Sequence, residues 1–178
     1  SELFDGFFSP RLSLAYTAGA MKEHNIRASV QTGFRNPTTQ DLFIGLDAGR
    51  AVLVGSAEDN LDRDVRTYNV SQNAQNAGIP ATAEVVGRAA YENAFSISSV
   101  QSGAPAAADV DIVKPEEVTS YEIGYRGKAG NFIIDLLGYH NKYKDFISGE
   151  NVLVPFYGVV GDNSLSLFAL QNGDYKAY

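Results

Sequence analysis

The feature that most constrains this chain is a pair of long segments in which apolar and polar residues alternate. Residues 118–126 and 132–141 both follow this pattern, and the small residues 127–131 separate them. A period of two places successive side chains on opposite faces of a strand, so the sequence predicts an antiparallel hairpin. The apolar face of this hairpin is predicted to carry Tyr121, Ile123, Tyr125, Phe132, Ile134 and Leu136.

A second hairpin is predicted at residues 9–34, where the segments 11–17 and 26–33 alternate in the same way. Each of the four strands runs for roughly ten residues, whereas a strand of a soluble protein has about five or six. A tilted strand needs roughly nine to eleven residues to cross a bilayer. Strand length therefore favours an apolar face that meets lipid, and a soluble β-sandwich remains open as the alternative.

Between the hairpins lies an excursion of about 80 residues, 35–115. An excursion of that length is unusual in a compact soluble domain but typical of membrane barrels, whose turns are short at one end and long at the other. Short helices are expected in it, one ending at Gly78 and one beginning at Pro80, with its apolar stripe reaching Phe95. In residues 148–178 we expect a loop and the start of another strand, with Pro155 arguing against a central strand.

Composition excludes several classes of function. The net charge is −7, which argues against a general nucleic-acid binder. Cysteine is absent and there are 2 histidines, so thiolate zinc sites, cysteine nucleophiles and multi-histidine metal sites are not expected.

No apolar run approaches the roughly 18 residues of a membrane-spanning helix, and no signal-peptide pattern opens the chain.

Four segments together resemble the barrel of TonB-dependent outer-membrane receptors, in particular those of Bacteroidetes. They are SPRLSL at 9–14, GFRNPT at 33–38, KPEEVTSYEIGY at 114–125 and NKYKDFI at 141–147. The segments occur in the order of the family and cover both hairpins. Each motif is modest alone, and their combination is specific.

The resemblance implies an all-β fold, an antiparallel transmembrane β-barrel segment of about four to five long strands. Residues 1–178 are then expected to be part of a larger barrel, with hairpins at 9–34 and 116–147. The segment 35–115 becomes a long extracellular loop containing short helices, and 148–178 a loop with the start of the next strand. A plug domain and the remaining strands lie outside these residues, so we do not expect this segment to transport by itself.

The candidate ligand-binding residues lie on loops or at the rim, and they are Arg35, Asn36, Asp59, Arg63 and Arg66. Around Arg35 and Asn36, turn chemistry set by Pro37 is the alternative explanation. The acidic run 58–64 could form a calcium site, but its spacing matches no known calcium loop. Arg63 and Arg66 can also neutralise the negative charge of this run. We therefore expect no metal site, and likewise no cofactor.

The polar side of the second hairpin is expected to face the barrel lumen. It carries Glu122, Arg126, Asp135 and Asn141. Paired carboxylates can serve hydrolysis, but no second catalytic signature accompanies them, and an inward polar face is the rule in such barrels. The aromatic residues Tyr16, Tyr121, Tyr125, Phe132 and Tyr143 could form the interfacial girdles.

The sequence thus predicts a non-enzymatic role in outer-membrane transport. By resemblance, the receptor imports an iron chelate, cobalamin, glycan or peptide, and it works with the TonB complex through its plug. Outer-membrane lipid is an expected partner, as is a surface lipoprotein in glycan importers of the family, and nucleic acid is not. A soluble all-β binding or adhesion domain is the alternative.

Overall fold

The computed structural model describes residues 7–162 and 164–178, while residues 1–6 and 163 of the predicted barrel segment lie outside the described part. The chain divides into two compact units that interleave along the sequence. We call the residues up to Pro37 together with Lys114–Ile147 the sheet unit. Thr38–Val113 together with Ser148–Tyr178 form the loop unit.

Strands predominate in the described residues. In chain order they are β1 (Arg11–Ala18), β2 (His24–Arg35), β3 (Gly45–Asp47), β4 (Val52–Val54), β5 (Val65–Asn69), β6 (Thr82–Val86), β7 (Phe95–Ser96), β8 (Glu116–Ala129), β9 (Phe132–Lys144), β10 (Val152–Pro155) and β11 (Tyr175–Ala177). The helices are short: α1 (Thr39–Phe43), α2 (Glu58–Arg63), α3 (Gln72–Asn76), α4 (Ala89–Glu92), α5 (Ile97–Gln101) and α6 (Leu165–Asn172). No helix in the described residues is long and apolar enough to cross a membrane.

The sheet unit is built from the four long strands, in the antiparallel order β1-β2-β8-β9. β8 and β9 have 14 and 13 residues, well above the usual strand length. Tight turns join β1 to β2 and β8 to β9 at the same end of the sheet. The chain leaves from β2 and re-enters at β8 at the opposite end.

Glycine and a local carboxylate shape the turn between β1 and β2. Gly19 has a φ of 96°, which side chains with a Cβ rarely adopt, and a Cβ there would collide with the Glu23 carboxylate. That carboxylate accepts a hydrogen bond of 2.8 Å from the Met21 amide. Backbone hydrogen bonds to the carboxylate, including that of Met21, lower the pKa of Glu23. The turn is also tied to β8, because the Lys128 amide donates a hydrogen bond of 2.9 Å to the Glu23 carbonyl.

The loop unit consists of small antiparallel sheets, β11-β10-β7, β3-β4 and β5-β6, together with the helices. Its main core contains Val52, Val85, Ala90, Ala94, Val152, Val154 and Tyr178. Every buried hydrophobic side chain in the described residues belongs to this unit. The excursion is therefore a folded body and not an irregular loop.

Two expectations for the loop unit are wrong in detail. Residues 82–86 form a strand paired with β5, not the start of a helix, because cross-strand pairing and the β-branched Thr82, Val85 and Val86 override the local helix signal. β10 is the central strand of its sheet although it ends at Pro155. Proline is tolerated there because, as the last residue, it costs no interior ladder bond.

Near the chain end, where the start of another strand is expected, a helix precedes a short strand. α6 occupies Leu165–Asn172, and Gly173 ends it in the left-handed conformation with a φ of 74°. The strand that follows, β11, has 3 residues and pairs with β10 inside the loop unit. The helix predicted to stop at Gly78 is confirmed as α3, which ends at Asn76 with Ala77 as its C-cap.

Candidate functional site

The register of the long strands assigns each side chain to one of two faces, since residues opposite each other across antiparallel strands point the same way. Ile26 lies opposite both Tyr16 and Tyr125, and Tyr125 lies opposite Leu136. We call the face that these residues share the apolar face. It carries Leu12, Leu14, Tyr16, Ile26, Ala28, Val30, Tyr121, Ile123, Tyr125, Phe132, Ile134 and Leu136.

The apolar face is exposed. Leu14 retains 69% of its surface, Ile123 63% and Leu136 62%. From Tyr121 to Ala129 the face extends about 26 Å along β8 at the rise of a β-strand. A strand tilted by about 35–45° then covers roughly 20 Å of depth, close to the apolar band of outer-membrane barrels. An exposed apolar surface of this size is typical of a face that contacts a membrane or a binding partner.

The opposite side, which we call the polar face, brings the four predicted lumen residues together. Arg126 stands opposite Asp135, Glu122 opposite Tyr139, and Asn141 opposite Ser120. β2 adds Asn25, Arg27, Ser29 and Gln31 to the same face. Arg27 lies across Gly124, where a Cβ would come within 2.6 Å of its Nε. The absence of a side chain at Gly124 thus gives the guanidinium its path across the sheet.

Arg35 closes the end of the sheet from which the excursion leaves. Its guanidinium lies 3.3 Å from the Glu116 carboxylate, which also accepts a hydrogen bond of 3.3 Å from the Ile147 amide. The pair joins the last residue of β2 to the first residue of β8. Asn36 follows directly and is exposed. Sequence reasoning singled out Arg35 but did not pair it with Glu116, because a partner 81 residues away leaves no local signal.

The three candidates in the loop unit do not converge on one point. Arg63 pairs with Asp59 at 3.6 Å on the exposed surface of α2, with 80% and 79% of the side chains accessible. Arg66 instead contacts Asp64 at 2.7 Å, and this hydrogen-bonded pair raises the pKa of Arg66. No three histidine, aspartate or glutamate side chains in the described part of the chain come together in a way that could hold a metal ion.

A charged cluster that the sequence did not reveal centres on Arg88. Its guanidinium contacts Asp62 at 2.7 Å, Glu58 at 2.8 Å and Glu92 at 3.3 Å. These hydrogen bonds raise the pKa of Arg88, and the bond from Arg88 lowers the pKa of Asp62. We call this group the Arg88 clamp, because it ties α2 to α4.

A second unpredicted group surrounds Asp174, a carboxylate with 3% of its surface exposed. It accepts hydrogen bonds from the Ser71 amide at 2.7 Å, the Ser71 hydroxyl at 2.8 Å and the Tyr157 hydroxyl at 2.7 Å. Burial raises the pKa of Tyr157, and the bond to Asp174 raises it further. The donors come from segments about 100 residues and 17 residues away, so the contact fixes the fold of the loop unit.

The geometry therefore comprises a long two-faced sheet without a core of its own and a folded excursion. The protein-family model described as "TonB dependent receptor-like, beta-barrel" matches residues 2–174. The chain belongs to this family. No curated protein and no solved structure matched it.

Family membership confirms the all-β, antiparallel barrel prediction and places the chain in the bacterial outer membrane. The sheet in the described residues is open, with β1 and β9 as its edges, so it is part of a barrel wall. The TonB-dependent receptors are transporters and not an enzyme family, and they act with TonB and an imported ligand. The polar face and the excursion are therefore the candidate binding elements.

Proposed function

We propose that this chain forms part of the wall and ligand-facing loops of a receptor that imports a nutrient across the outer membrane. The observation that carries the proposal is the exposed apolar face of the long strands. A soluble sheet of this length would bury that face, yet every buried hydrophobic side chain in the described residues lies in the other unit. Lipid against the apolar face and water against the polar face satisfy both surfaces.

The polar face is the proposed lining of the lumen. Glu122, Arg126, Asp135 and Asn141 share it, and its charges would be costly to bury against hydrocarbon. In a water-filled lumen the same side chains stay solvated and can contact a plug domain. This assignment also explains why the two sides of β8 differ so sharply in polarity.

The loop unit is the proposed ligand-facing surface. The chain enters these residues after β2 and returns before β8, at the strand ends opposite the two short turns, which are the extracellular ends in outer-membrane barrels. Among the three candidate arginines, Arg63 has the most exposed side chain, whereas Arg35 and Arg66 are held by partners of lower exposure. Within the loop unit, Arg63 together with Asp59 is thus the best placed to reach a ligand, and the exposed Asn36 of the sheet unit is a separate candidate.

The cargo class is proposed from the family, as an iron chelate, cobalamin, a glycan or a peptide. For a glycan cargo, a surface lipoprotein would be the partner that covers the loop unit. The test is uptake by cells that lack the receptor and are complemented with its full-length gene. Each class is supplied in labelled form, with and without functional TonB.

We expect saturable uptake of one class that needs both the receptor and TonB. The variant Arg63→Ala should weaken binding of that cargo to whole cells, while Asp109→Ala, an exposed change elsewhere in the loop unit, should not. Uptake of all four classes that is unaffected by loss of the receptor would contradict the proposal. Recovery of the full-length receptor as a water-soluble protein would support the soluble binding domain instead.

A further inference from the structure

The apolar face contains a shallow groove where one rung carries two small residues, Ala28 and Gly138. The groove has a volume of about 320 Å³ and is lined by Ile26, Ile123, Gly124, Tyr125, Leu136 and Gly138. Gly138 stands opposite Ile123, and Ala28 completes that rung. The missing side chain at Gly138 opens the groove, and the lining is almost wholly apolar. Its chemistry suits a hydrocarbon chain.

Going along β9 from the groove toward the excursion, the apolar face becomes polar within two rungs. The first rung places Tyr121 opposite His140, with ring centroids 6.2 Å apart. The next rung carries Thr32, Thr119 and Lys142, which places two hydroxyls and an ammonium side by side on three strands. Amphipathic aromatic rings followed by cations are typical of the level at which a bilayer meets its headgroups.

At this headgroup level, Lys142 is a cation without an ion-pair partner in the described residues. It is exposed, and no carboxylate in the described residues lies within 4.0 Å of it. The neighbouring Lys144, one rung further, is engaged by Glu117 at 3.9 Å and Asp145 at 3.6 Å. Lys144 offsets one of these two negative charges, and Lys142 is a cation without a direct carboxylate partner in the described residues, with the Thr119 hydroxyl in the same rung.

We propose that the apolar face holds a lipid with a phosphorylated, anionic headgroup. Lys142 and Thr119 bind the phosphate, and the groove at Gly138 takes an acyl chain. Lys142 lies four positions beyond Gly138 along β9, a span of about 13 Å, which the headgroup and acyl chain of one lipid can bridge. Basic residues next to a membrane attract anionic headgroups. The inference rests on the proposed placement of the apolar face against lipid.

The test uses the full-length receptor purified in a non-ionic detergent and measured by native mass spectrometry. The probes are dioleoyl phosphatidylglycerol and dioleoyl phosphatidylcholine, which share acyl chains and differ in net headgroup charge. We expect the unaltered receptor to retain the anionic lipid about fivefold better, the preference expected of one lysine near a membrane surface. Lys142→Ala should abolish the preference.

Two further variants separate the headgroup from the chain. Gly138→Leu fills the groove and should remove one bound lipid of either type. Lys128→Ala is the matched control, because Lys128 lies in the same sheet but on the polar face, and it should retain the preference. The inference is overturned if the unaltered receptor shows no preference, or if Lys128→Ala loses as much of it as Lys142→Ala.

Failure of this inference is distinguishable from failure of the proposed function. A receptor that fractionates with the outer membrane and imports its cargo, yet binds both lipids equally, disproves only the lipid site. A receptor that does not fractionate with the outer membrane disproves the placement of the apolar face itself.

Discussion

The buried carboxylate of Asp174 shows how a single residue can hold distant parts of the loop unit together. A charge removed from water is costly unless hydrogen bonds replace its hydration. Here three donors from Ser71 and Tyr157 do so, at 2.7 Å, 2.8 Å and 2.7 Å. Asp174 also anchors the end of α6, because its amide donates to the Ala169 carbonyl at 2.9 Å.

Asp174→Asn should therefore destabilise the loop unit. The amide nitrogen that replaces one oxygen cannot accept a hydrogen bond, and hydrogen bonds to a charged group contribute about 1.5–3 kcal/mol. We expect amide hydrogen exchange in α3 and α6 of the full-length receptor to accelerate by at least tenfold, since about 1.4 kcal/mol corresponds to that factor. Asp109→Asn, at an exposed position, should leave exchange unchanged. Equal protection in both variants would refute a stabilising role.

Gly55 illustrates a different constraint at the residue scale, the close approach of two backbones. A Cβ built there would lie 2.5 Å from the Leu42 carbonyl carbon and 2.6 Å from the Phe43 nitrogen. Backbone atoms cannot rotate away as a side chain can. Gly55→Ala should thus force β4 away from α1 and cost about 1–3 kcal/mol, the usual range for overpacking.

The check on Gly55→Ala is limited proteolysis of the full-length receptor. We expect faster cleavage between α1 and α2 than in the unaltered protein. Gly149→Ala is the control, because a Cβ at Gly149 has no atom within 4 Å and its φ is not in the left-handed region. Equal cleavage rates for Gly55→Ala and Gly149→Ala would show that the contact is not tight in solution.

Between elements, the Arg88 clamp replaces a hydrophobic interface. α2 and α4 have 6 and 4 residues, too short to pack a helical stripe, and a helix of this length is not stable alone. Arg88→Gln removes a charge shared by three carboxylates and leaves them to repel each other. We expect a protease that does not cleave after arginine to cut α2 faster in this variant. Arg63→Gln breaks only an exposed ion pair and should have little effect on the cleavage rate.

The clamp also predicts how the loop unit responds to acid. Arg88 lowers the pKa of Asp62 in the folded state, so the folded protein releases this proton at a lower pH than the unfolded chain does. The stabilisation is complete above the ordinary aspartate pKa of about 3.9 and is lost as the pH falls through the lowered value. Hydrogen exchange corrected for intrinsic rates should show α2 opening below that range. The response should be absent in Asp62→Asn.

At the same scale, the sequence predicted the long strands far better than the excursion. The strands are 8 to 14 residues long and alternate with a period of two, and this signal survives because each face meets a uniform environment. In the loop unit, elements are 2 to 8 residues long, and partners such as Val85 and Arg66 come from different segments. Cross-strand pairing then outweighs the local helix propensity, which is why residues 82–86 form a strand. Pro155 misled for the same reason, since its place at the strand end depends on chain packing.

The candidate residues divide along the same line. Glu122, Arg126, Asp135 and Asn141 share a face because alternation fixes it, so the sequence could group them. Their orientation toward a lumen stays a prediction. Arg88 and Asp174 were missed because the partners that define each group include residues 26 and 103 positions away, which no spacing rule connects; only Arg88 and Glu92 have the i, i+4 spacing.

For the whole molecule, the distribution of burial is the central fact. The loop unit has its own core, whereas the long strands expose both faces in the described part of the chain. An isolated sheet of this kind would aggregate in water through its apolar face and its edges. Its stability therefore depends on the membrane and on neighbouring strands, which satisfy the backbone of β1 and β9.

This dependence predicts that two adjacent residues of β1 respond oppositely to the same substitution. Leu14 lies at mid-height of the apolar face, opposite Ala28, and Ser13 lies on the polar face, opposite Ser29. A lysine on the lipid side near the midplane costs about 2–4 kcal/mol, whereas a lysine in the lumen stays hydrated. We expect Leu14→Lys to reduce the amount of full-length receptor assembled in the outer membrane, while Ser13→Lys assembles normally. Quantifying both variants in purified outer membranes decides which face meets lipid, because the reverse outcome would assign the apolar face to the lumen.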